Sequence, residues 1–331
     1  MLRDLRVRIE KFPLATPFRI SRGVRTVAEI VEVEVEVGGA TGRGESVPYA
    51  RYGETLDSVV EQIEGVQDVL WKGLSRSQLQ QVLPPGAARN AVDCALWDLD
   101  AKLDPGGGML SDPNPVATAL TIGVDTPDAM ESEAAKLANV PVIKVKVGAQ
   151  QAEACLRAVR RAAPLPRMIV DPNESWDVEL LQALQPLLEE LQVAFVEQPL
   201  PSSDDGGLAG LIRRVPVCAD ESCHTADDLD RLSGLYDIVN IKLDKTGGLT
   251  EAFRLLEDAR KKGFGVMVGC MISSSLSIVP ALQIARHADF VDLDGPVWLK
   301  DDRVGGVSIK NGQLMPPQRG FWGSNAIVQS A

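Results

Sequence analysis

The sequence has few of the residues from which most protein metal and redox sites are built. Of its 331 residues only 2 are histidine and 5 are cysteine. Neither histidine ends an apolar, strand-like segment, so a zinc site of the usual kind is not expected, and we interpret His224 as structural. The cysteine count is odd and the spacings match no zinc motif, so we expect reduced thiols, mostly packed in the core.

Long apolar segments and excess positive charge are also missing. The apolar runs are too short to span a bilayer, and the first residues alternate charged and apolar side chains, unlike a secretory signal. The 34 lysines and arginines are outnumbered by 46 acidic residues, which gives a net charge of −12. This balance disfavours nucleic acid as a partner, although a locally basic site could still bind an anion. We expect a cytoplasmic globular protein with no nucleic-acid or membrane partner.

Two successive patterns divide the chain. Residues 31–37 alternate valine with glutamate, which is typical of a strand with one wet face, and residues 55–103 have helical spacing. A glycine-rich stretch, 105–108, is interpreted as a linker. After about residue 116 short apolar strands alternate with helical stretches; the strands are predicted at 117–122, 142–147, 168–170, 194–196, 217–219, 238–243, 265–268 and 290–293. Eight such units over roughly 180 residues favour a closed parallel α/β barrel.

Three consecutive predicted strands end in a carboxylate, at Asp171, Glu197 and Asp220. Each one alone is better explained as a loop residue or a helix cap. Together they are 26 and 23 residues apart, about one strand–helix unit each, so on a barrel they would converge. Three unpaired carboxylates repel one another unless a cation lies between them. Ligands that are all oxygen favour Mg²⁺, with Mn²⁺ as the alternative.

Lysines occupy corresponding positions on other strands. Lys144 and Lys146 are two residues apart, so both point to the same face of their strand, and Lys242 ends a strand on the far side of the barrel. Adjacent buried ammonium groups are costly, so at least one lysine pKa should fall, which would create a base. The alternative to a catalytic role is a lysine at the end of a strand that reaches solvent, and we interpret Lys245 in this way. A metal between two facing lysines could remove an α-proton from one face and return it to the other.

This set of residues resembles the enolase superfamily, in its muconate lactonising enzyme-like subgroup, over nearly the whole chain. The resemblance implies a modified (β/α)7β TIM-type barrel in residues 116–300. It also implies an α+β N-terminal capping domain in residues 1–115, joined by the C-terminal segment 301–331. The same resemblance implies that Asp171, Glu197 and Asp220 are metal ligands and that Lys146 and Lys242 are the two acid/bases. It implies that Lys144 tunes the pKa of Lys146 and contacts the substrate carboxylate. It also implies that Asn173 and Glu221 support the metal ligands.

Within the subgroup the chain is similar to dipeptide epimerases of the L-Ala-D/L-Glu type. Asp292 and Asp294 share one face of the eighth strand, and the resemblance implies that they bind the ammonium group of a dipeptide. The alternative is a pair of strand-end carboxylates that caps a loop. Residues 47–54 resemble the capping loop of these enzymes. Residues 269–273, with Met271 and Ser273, resemble the segment that holds the substrate backbone or carboxylate.

Substrate preference depends on a loop, 17–26, that carries Arg19, Arg22 and Arg25. Arg25 best fits the position that would pair with a glutamate side chain; the alternative is a solvated basic loop. We therefore expect an Ala-Glu substrate. Alternatives on the same scaffold are o-succinylbenzoate synthase, N-acylamino acid racemase and cycloisomerase. A Schiff-base aldolase and a non-catalytic binding protein are the alternatives of other classes. The resemblance leaves a homo-oligomer open.

Overall fold

A computed structural model describes residues 3–20, 23–104, 110 and 114–323 of the chain. The predicted linker 105–108, Arg22 and the last residues of the tail, 324–331, lie outside this part. No helix in the described ranges is both long and apolar enough to cross a bilayer. All five cysteines are free thiols, and four of them are buried, as expected from the sequence.

An antiparallel sheet opens the chain, with β1 (Asp4–Ile20), β2 (Gly23–Val37) and β3 (Ala40–Ser46) side by side in that order. Val31, Val33 and Val35 on one face of β2 are fully buried. Glu34 and Glu36 on the other face pair with arginines of β1, whereas Glu32 is buried and pairs with both Arg8 and Arg303. The alternating pattern thus predicted this strand and its apolar face correctly.

Four helices cover the apolar face of this sheet. They are α1 (Leu56–Gly65), α2 (Gln67–Trp71), α3 (Arg76–Val82) and α4 (Ala87–Leu103). Helix α4 packs very closely on β3, because a Cβ at Gly42 or Gly44 would lie 2.1 Å from a carbonyl oxygen of α4. Glycine on the strand and alanine on the helix, at Ala91 and Ala95, therefore permit this contact.

Eight parallel strands form the second sheet, in sequential order. They are β5 (Leu120–Ile122), β6 (Val142–Lys146), β7 (Arg167–Asp171), β8 (Val193–Glu197), β9 (Val217–Ala219), β10 (Ile238–Ile241), β11 (Gly265–Gly269) and β12 (Phe290–Asp292). The backbone N–H of Ala119 donates to the carbonyl of Val291 over 2.8 Å, which joins the first edge to the last and closes the barrel.

Helices cover the outside of this barrel. They are α5 (Pro127–Lys136), α6 (Ala152–Ala162), α7 (Val178–Glu190), α8 (Leu229–Leu232), α9 (Leu243–Thr246), α10 (Leu249–Lys261) and α11 (Ser275–Ala285). A short 3-10 helix, Ser202–Leu208, replaces the helix between β8 and β9. Within the described residues β12 is followed by no α-helix, only by a short 3-10 helix, Gly295–Trp298, so the (β/α)7β prediction is confirmed.

The predicted first barrel strand, 117–122, is in fact divided. Its beginning, β4 (Val116–Ala117), pairs instead with the tail strand β14 (Gln313–Met315), which forms a hairpin with β13 (Ser308–Lys310). Further along the tail, Trp322 Nε1 donates to the carbonyl of Arg43 over 2.9 Å. The division into 1–115, 116–300 and 301–331 stays a prediction.

Candidate active site

The carboxyl ends of the barrel strands bear a cluster of charged side chains. Ile143 and Val145 of β6 pack outward in the core, so Lys144 and Lys146 point into the barrel. Below them the barrel is filled by apolar side chains such as Ile169 and Phe195. The cluster comprises Lys144, Lys146, Asp171, Glu197, Asp220, Lys242, Lys245, Asp292 and Asp294, none of them more than 8% exposed. A cavity of about 500 Å³ opens above it toward the first sheet.

Lys144 lies at the centre of the cluster. Its Nζ is 2.7 Å from Glu197 Oε2, 3.0 Å from Asp171 Oδ2 and 2.8 Å from Asp292 Oδ2. Burial disfavours its charged form, but the attraction of Asp292, Glu197 and Asp171 outweighs burial and raises the pKa of Lys144 well above its ordinary value. The expected fall in a lysine pKa is therefore wrong for Lys144, because the carboxylates around it outnumber its ammonium neighbours.

Lys146 and Lys242 face the cavity from opposite sides. Their strands, β6 and β10, are four places apart in the ring of eight. Both side chains line the cavity, and each ammonium contacts a different carboxylate: Lys146 donates to Asp171, and Lys242 donates to Asp220 over 2.6 Å. Burial opposes the charge on Lys242, yet Asp220 raises its pKa above the ordinary value. The two amines thus approach a common space from opposing faces.

The three strand-end carboxylates lie below and beside these lysines. The pKa of Asp171 is lowered to about 2, since Lys146 and Lys144 overcome the effect of burial. Burial and the nearby Asp171 raise the pKa of Glu197 to about 7. Ammonium groups occupy the spaces between these acids, and within the described residues no three acidic, histidine or cysteine side chains stand close enough to form a metal cage.

The charge balance and the donor atoms of this cluster nevertheless fit a divalent cation. The cluster has five carboxylates, Glu221 on the cavity wall is a sixth, and only four lysines oppose them. With every group ionised the excess would be two negative charges, which is costly in a buried site without a further cation and agrees with the raised pKa of Glu197 and Asp294. The three acids on adjacent strands offer only oxygen ligands, which Mg²⁺ prefers.

Asp292 and Asp294 end the last barrel strand and also line the cavity. Asp292 Oδ2 is held by Lys144, while Asp294 Oδ2 accepts the backbone N–H of Thr121 over 2.8 Å. Burial and the charge of Asp292 raise the pKa of Asp294 to about 6. The two carboxylates are therefore side by side, and each is fixed by a different neighbour.

The cavity mouth contains Arg25, whose guanidinium carbon is 4.9 Å from the centre of the Tyr49 ring. Arg19 lines a separate surface cavity, outside the mouth. Met271, Asn173 and Glu221 also line the main cavity.

Ser273 does not line the cavity, contrary to the predicted substrate contact. It is fully buried, and its hydroxyl donates to the carbonyl of Met271 over 3.1 Å. The bend after β11 turns this side chain back behind the cavity wall, so the segment presents Met271 and not Ser273 to the cavity.

Comparison with known families accounts for both parts of the fold. Residues 2–105 match the model of the mandelate racemase/muconate lactonizing enzyme N-terminal domain, and residues 129–321 match the enolase C-terminal domain-like model. The chain belongs to the mandelate racemase/muconate lactonizing enzyme family. This membership confirms the resemblance inferred from the strand-end residues.

Two curated relatives in this family act on glutamate derivatives. The chain is 47% identical to the L-Ala-D/L-Glu epimerase of Escherichia coli (strain K12) over 95% of this chain and 99% of that protein. It is 43% identical to an N-acetyl-D-glutamate racemase from Pseudoalteromonas sp. over 85% of this chain and 91% of that protein.

Solved structures of family members agree with the fold. An enolase family member from Agrobacterium tumefaciens with homology to dipeptide epimerases, bound to sodium and L-Ala-L-Glu, superposes with a TM-score of 0.94 at 45% identity, over 97% of this chain and 100% of that one. A dipeptide epimerase from Enterococcus faecalis complexed with Mg and L-Leu-L-Tyr superposes with a TM-score of 0.87 at 29% identity, over 96% of this chain and 98% of that one.

Two residues of this family member's site were not found by sequence reasoning. Lys245, interpreted as solvent-reaching, is fully buried, and its Nζ donates to Asp220 Oδ1 over 2.7 Å and to the carbonyl of Asn240 over 2.8 Å. One helical turn after Lys242 returns the chain to the same side, which was the available signal. Arg51 lines the cavity mouth and forms a two-pronged pair with Glu174, at 2.9 and 2.7 Å.

Proposed function

We propose that this family member is a Mg²⁺-dependent dipeptide epimerase, which inverts the α-carbon of the second residue of Ala-Glu. The observation that carries the proposal is the placement of Lys146 and Lys242 on opposite strands of the ring, facing one cavity. Inversion needs one group to take a proton from one face and another to give a proton to the other face. The lysines would serve as these two acid/bases.

Asp171, Glu197 and Asp220 would hold the metal ion. When bound, the cation would offset the negative charge of these acids and of the substrate carboxylate, which favours loss of the α-proton to a neutral lysine on one face while the lysine on the other face stays protonated. Lys144 lies among the same acids and would contact the substrate carboxylate. Asn173 and Glu221, at the cavity wall, would support the ligands.

Asp292 and Asp294 would bind the ammonium group of the dipeptide, at the end of the cavity formed by β12. A buried carboxylate pair without a full complement of cations is a strong site for an ammonium group. This feature distinguishes a dipeptide from an N-acylated amino acid, which lacks the positive charge. It therefore separates the proposal from the N-acylamino acid racemase alternative, the activity named for one of the relatives.

Arg25 would pair with the glutamate side chain of the second residue at the mouth of the cavity. The ring of Tyr49 holds the guanidinium there, and two similar proteins act on or bind Ala-Glu. Met271 would contact the substrate backbone. The cytoplasmic location predicted from the sequence is also proposed, and five free thiols are in keeping with a reducing compartment.

The test is incubation with Mg²⁺ in D₂O of four compounds: L-Ala-L-Glu, L-Ala-L-Leu, L-Ala-L-Lys and N-acetyl-L-glutamate. We expect L-Ala-L-Glu to incorporate deuterium at the α-carbon of its second residue and to epimerise fastest. Mass spectrometry and chiral separation measure both events. Faster turnover of the leucine or lysine dipeptide would contradict the assigned specificity, and faster turnover of N-acetyl-L-glutamate would contradict the ammonium site.

A further inference from the structure

A buried carboxylate that has no place in the proposed mechanism lies two residues beyond Lys242. Asp244 is 3% exposed and does not line the cavity. Burial raises its pKa to about 7. Its Oδ1 accepts two hydrogen bonds of 2.9 Å, from the backbone N–H of Val47 and from Asn90 Nδ2. A carboxylate is costly at such a depth, so these two bonds are the reason it is tolerated.

The two donors belong to different parts of the N-terminal half. Val47 begins the loop 47–54, from which Tyr49, Arg51 and Tyr52 line the mouth of the cavity. Asn90 lies on the buried face of α4. One carboxylate thus links the turn after β10, the loop over the cavity and the helix behind that loop.

Helix α4 also holds the rest of this turn. Arg89 donates to the carbonyls of Thr246 and Gly247 over 2.6 and 3.1 Å. A Cβ at Gly247 would lie 2.4 Å from Arg89 Nε, and a Cβ at Gly248 would lie 2.5 Å from Asp93, so the turn fits closely against the helix. Both glycines have positive φ, of 73° and 108°, which a larger side chain would strain.

The turn that is held in this way carries only one of the two proposed acid/bases. Lys242 immediately precedes α9, and its ammonium reaches Asp220 over 2.6 Å. Lys146 stands on the opposite strand, β6, with Asp171 as its partner. A displacement of the turn would therefore change the position of Lys242 in the cavity and leave that of Lys146 in place.

We propose that Asp244 is a positioning residue for Lys242, which couples the loop 47–54 over the substrate to one face of the reaction. This inference rests on the proposed epimerase function. It predicts a one-sided change when Asp244 loses its bonds, because the turn positions only one of the two acid/bases; an effect through Lys245 on Asp220 would slow both proton transfers alike.

Isotope partitioning in D₂O detects a one-sided defect. For each epimer of Ala-Glu the assay measures deuterium in the recovered substrate against deuterium in the product. When Lys146 has removed the proton, a badly placed Lys242 slows forward protonation, so more of the label returns to the substrate. When Lys242 must remove the proton, both formation of the intermediate and its return to substrate by Lys242 slow. Forward protonation by Lys146 does not slow, so less of the label returns to the substrate. The substrate-to-product label ratio therefore rises for one epimer and falls for the other.

Four variants make the comparison. Asp244→Ala removes the acceptor, and Asn90→Ala removes one donor. Asp244→Asn keeps an Oδ1 that can accept both bonds and should restore the wild-type ratios. Thr250→Val is the matched control. It breaks another contact between this segment and α4, the 2.7 Å bond from Thr250 Oγ1 to Asp93, but Thr250 follows the two glycines and so lies outside the turn that carries Lys242.

We expect Asp244→Ala to shift the two ratios in opposite directions by on the order of 10-fold, with a smaller shift of the same sign in Asn90→Ala. Asp244→Asn and Thr250→Val should match the wild type. Equal losses for both epimers with unchanged ratios, or an equal shift in Thr250→Val, would overturn the inference. If Asp244→Ala does not fold by circular dichroism, the sign of the shift in Asn90→Ala decides. A wild type that exchanges no α-proton would refute the proposed function itself, and this inference with it.

Discussion

The substitution Asp294→Asn should weaken binding of the substrate ammonium group without changing the metal ligands or the two acid/base lysines. The backbone N–H of Thr121 donates to Asp294 Oδ2, and an asparagine oxygen can accept the same bond, so the local fold should persist. Asp292 keeps its contact with Lys144. The change therefore removes one negative charge from the proposed ammonium site and little else.

The expected size of the effect follows from the burial of this carboxylate. A hydrogen bond to a charged group contributes about 1.5–3 kcal/mol, which corresponds to a loss of roughly 10- to 150-fold in kcat/KM for L-Ala-L-Glu. The loss should lie mainly in KM, because the ammonium is remote from the reacting carbon. N-acetyl-L-glutamate has no ammonium group, so its turnover should not fall.

The pH dependence of KM provides a second measurement of the same interaction. Asp294 has a pKa raised to about 6, so it is ionised above this pH and becomes neutral below it. In the wild type KM for L-Ala-L-Glu should rise as the pH falls through about 6, and in Asp294→Asn this rise should be absent. If the variant left kcat/KM for the dipeptide unchanged, or lowered turnover of both substrates equally, the ammonium would not be bound at this position.

Three further predictions concern stability, metal and specificity. Lys245→Met leaves the carboxylate of Asp220 without one of its buried partners, so urea denaturation should show a loss of about 3–5 kcal/mol in the free energy of unfolding; unchanged stability would contradict the buried pair. EDTA should abolish epimerisation, and Mg²⁺ or Mn²⁺ should restore it; activity that survives EDTA and is trapped by borohydride would indicate a Schiff-base aldolase instead. Arg25→Ala should lower kcat/KM for L-Ala-L-Glu by roughly 10- to 150-fold but leave that for L-Ala-L-Leu unchanged, and equal losses for both would argue for a structural role.

The strand-end residues were predictable because a strand–helix repeat has a regular length. The spacings of 26 and 23 residues between Asp171, Glu197 and Asp220 place each acid at, or one residue beyond, the carboxyl end of its strand. The alternation of Ile143, Lys144, Val145 and Lys146 likewise decides which side chains enter the barrel. These features depend only on local periodicity, which a single sequence contains.

Features that depend on contacts between distant segments were not predictable. Lys144 pairs with Asp292, 148 residues away, as well as with Glu197 and Asp171, and these carboxylates together raise its pKa where a fall was expected. Ser273 lies behind the wall because of the bend after β11. In each case the direction of a side chain depends on a turn or a partner that no sequence pattern specifies.

The proposal that each of the two facing lysines transfers a proton on only one face of the α-carbon can be tested with Lys146→Ala and Lys242→Ala. Each variant is incubated in D₂O with L-Ala-L-Glu and with L-Ala-D-Glu. We predict that neither variant epimerises, and that each exchanges the α-proton of only one dipeptide, with the two variants selecting opposite ones. Both variants exchanging the same epimer, or either one still inverting the α-carbon, would contradict it.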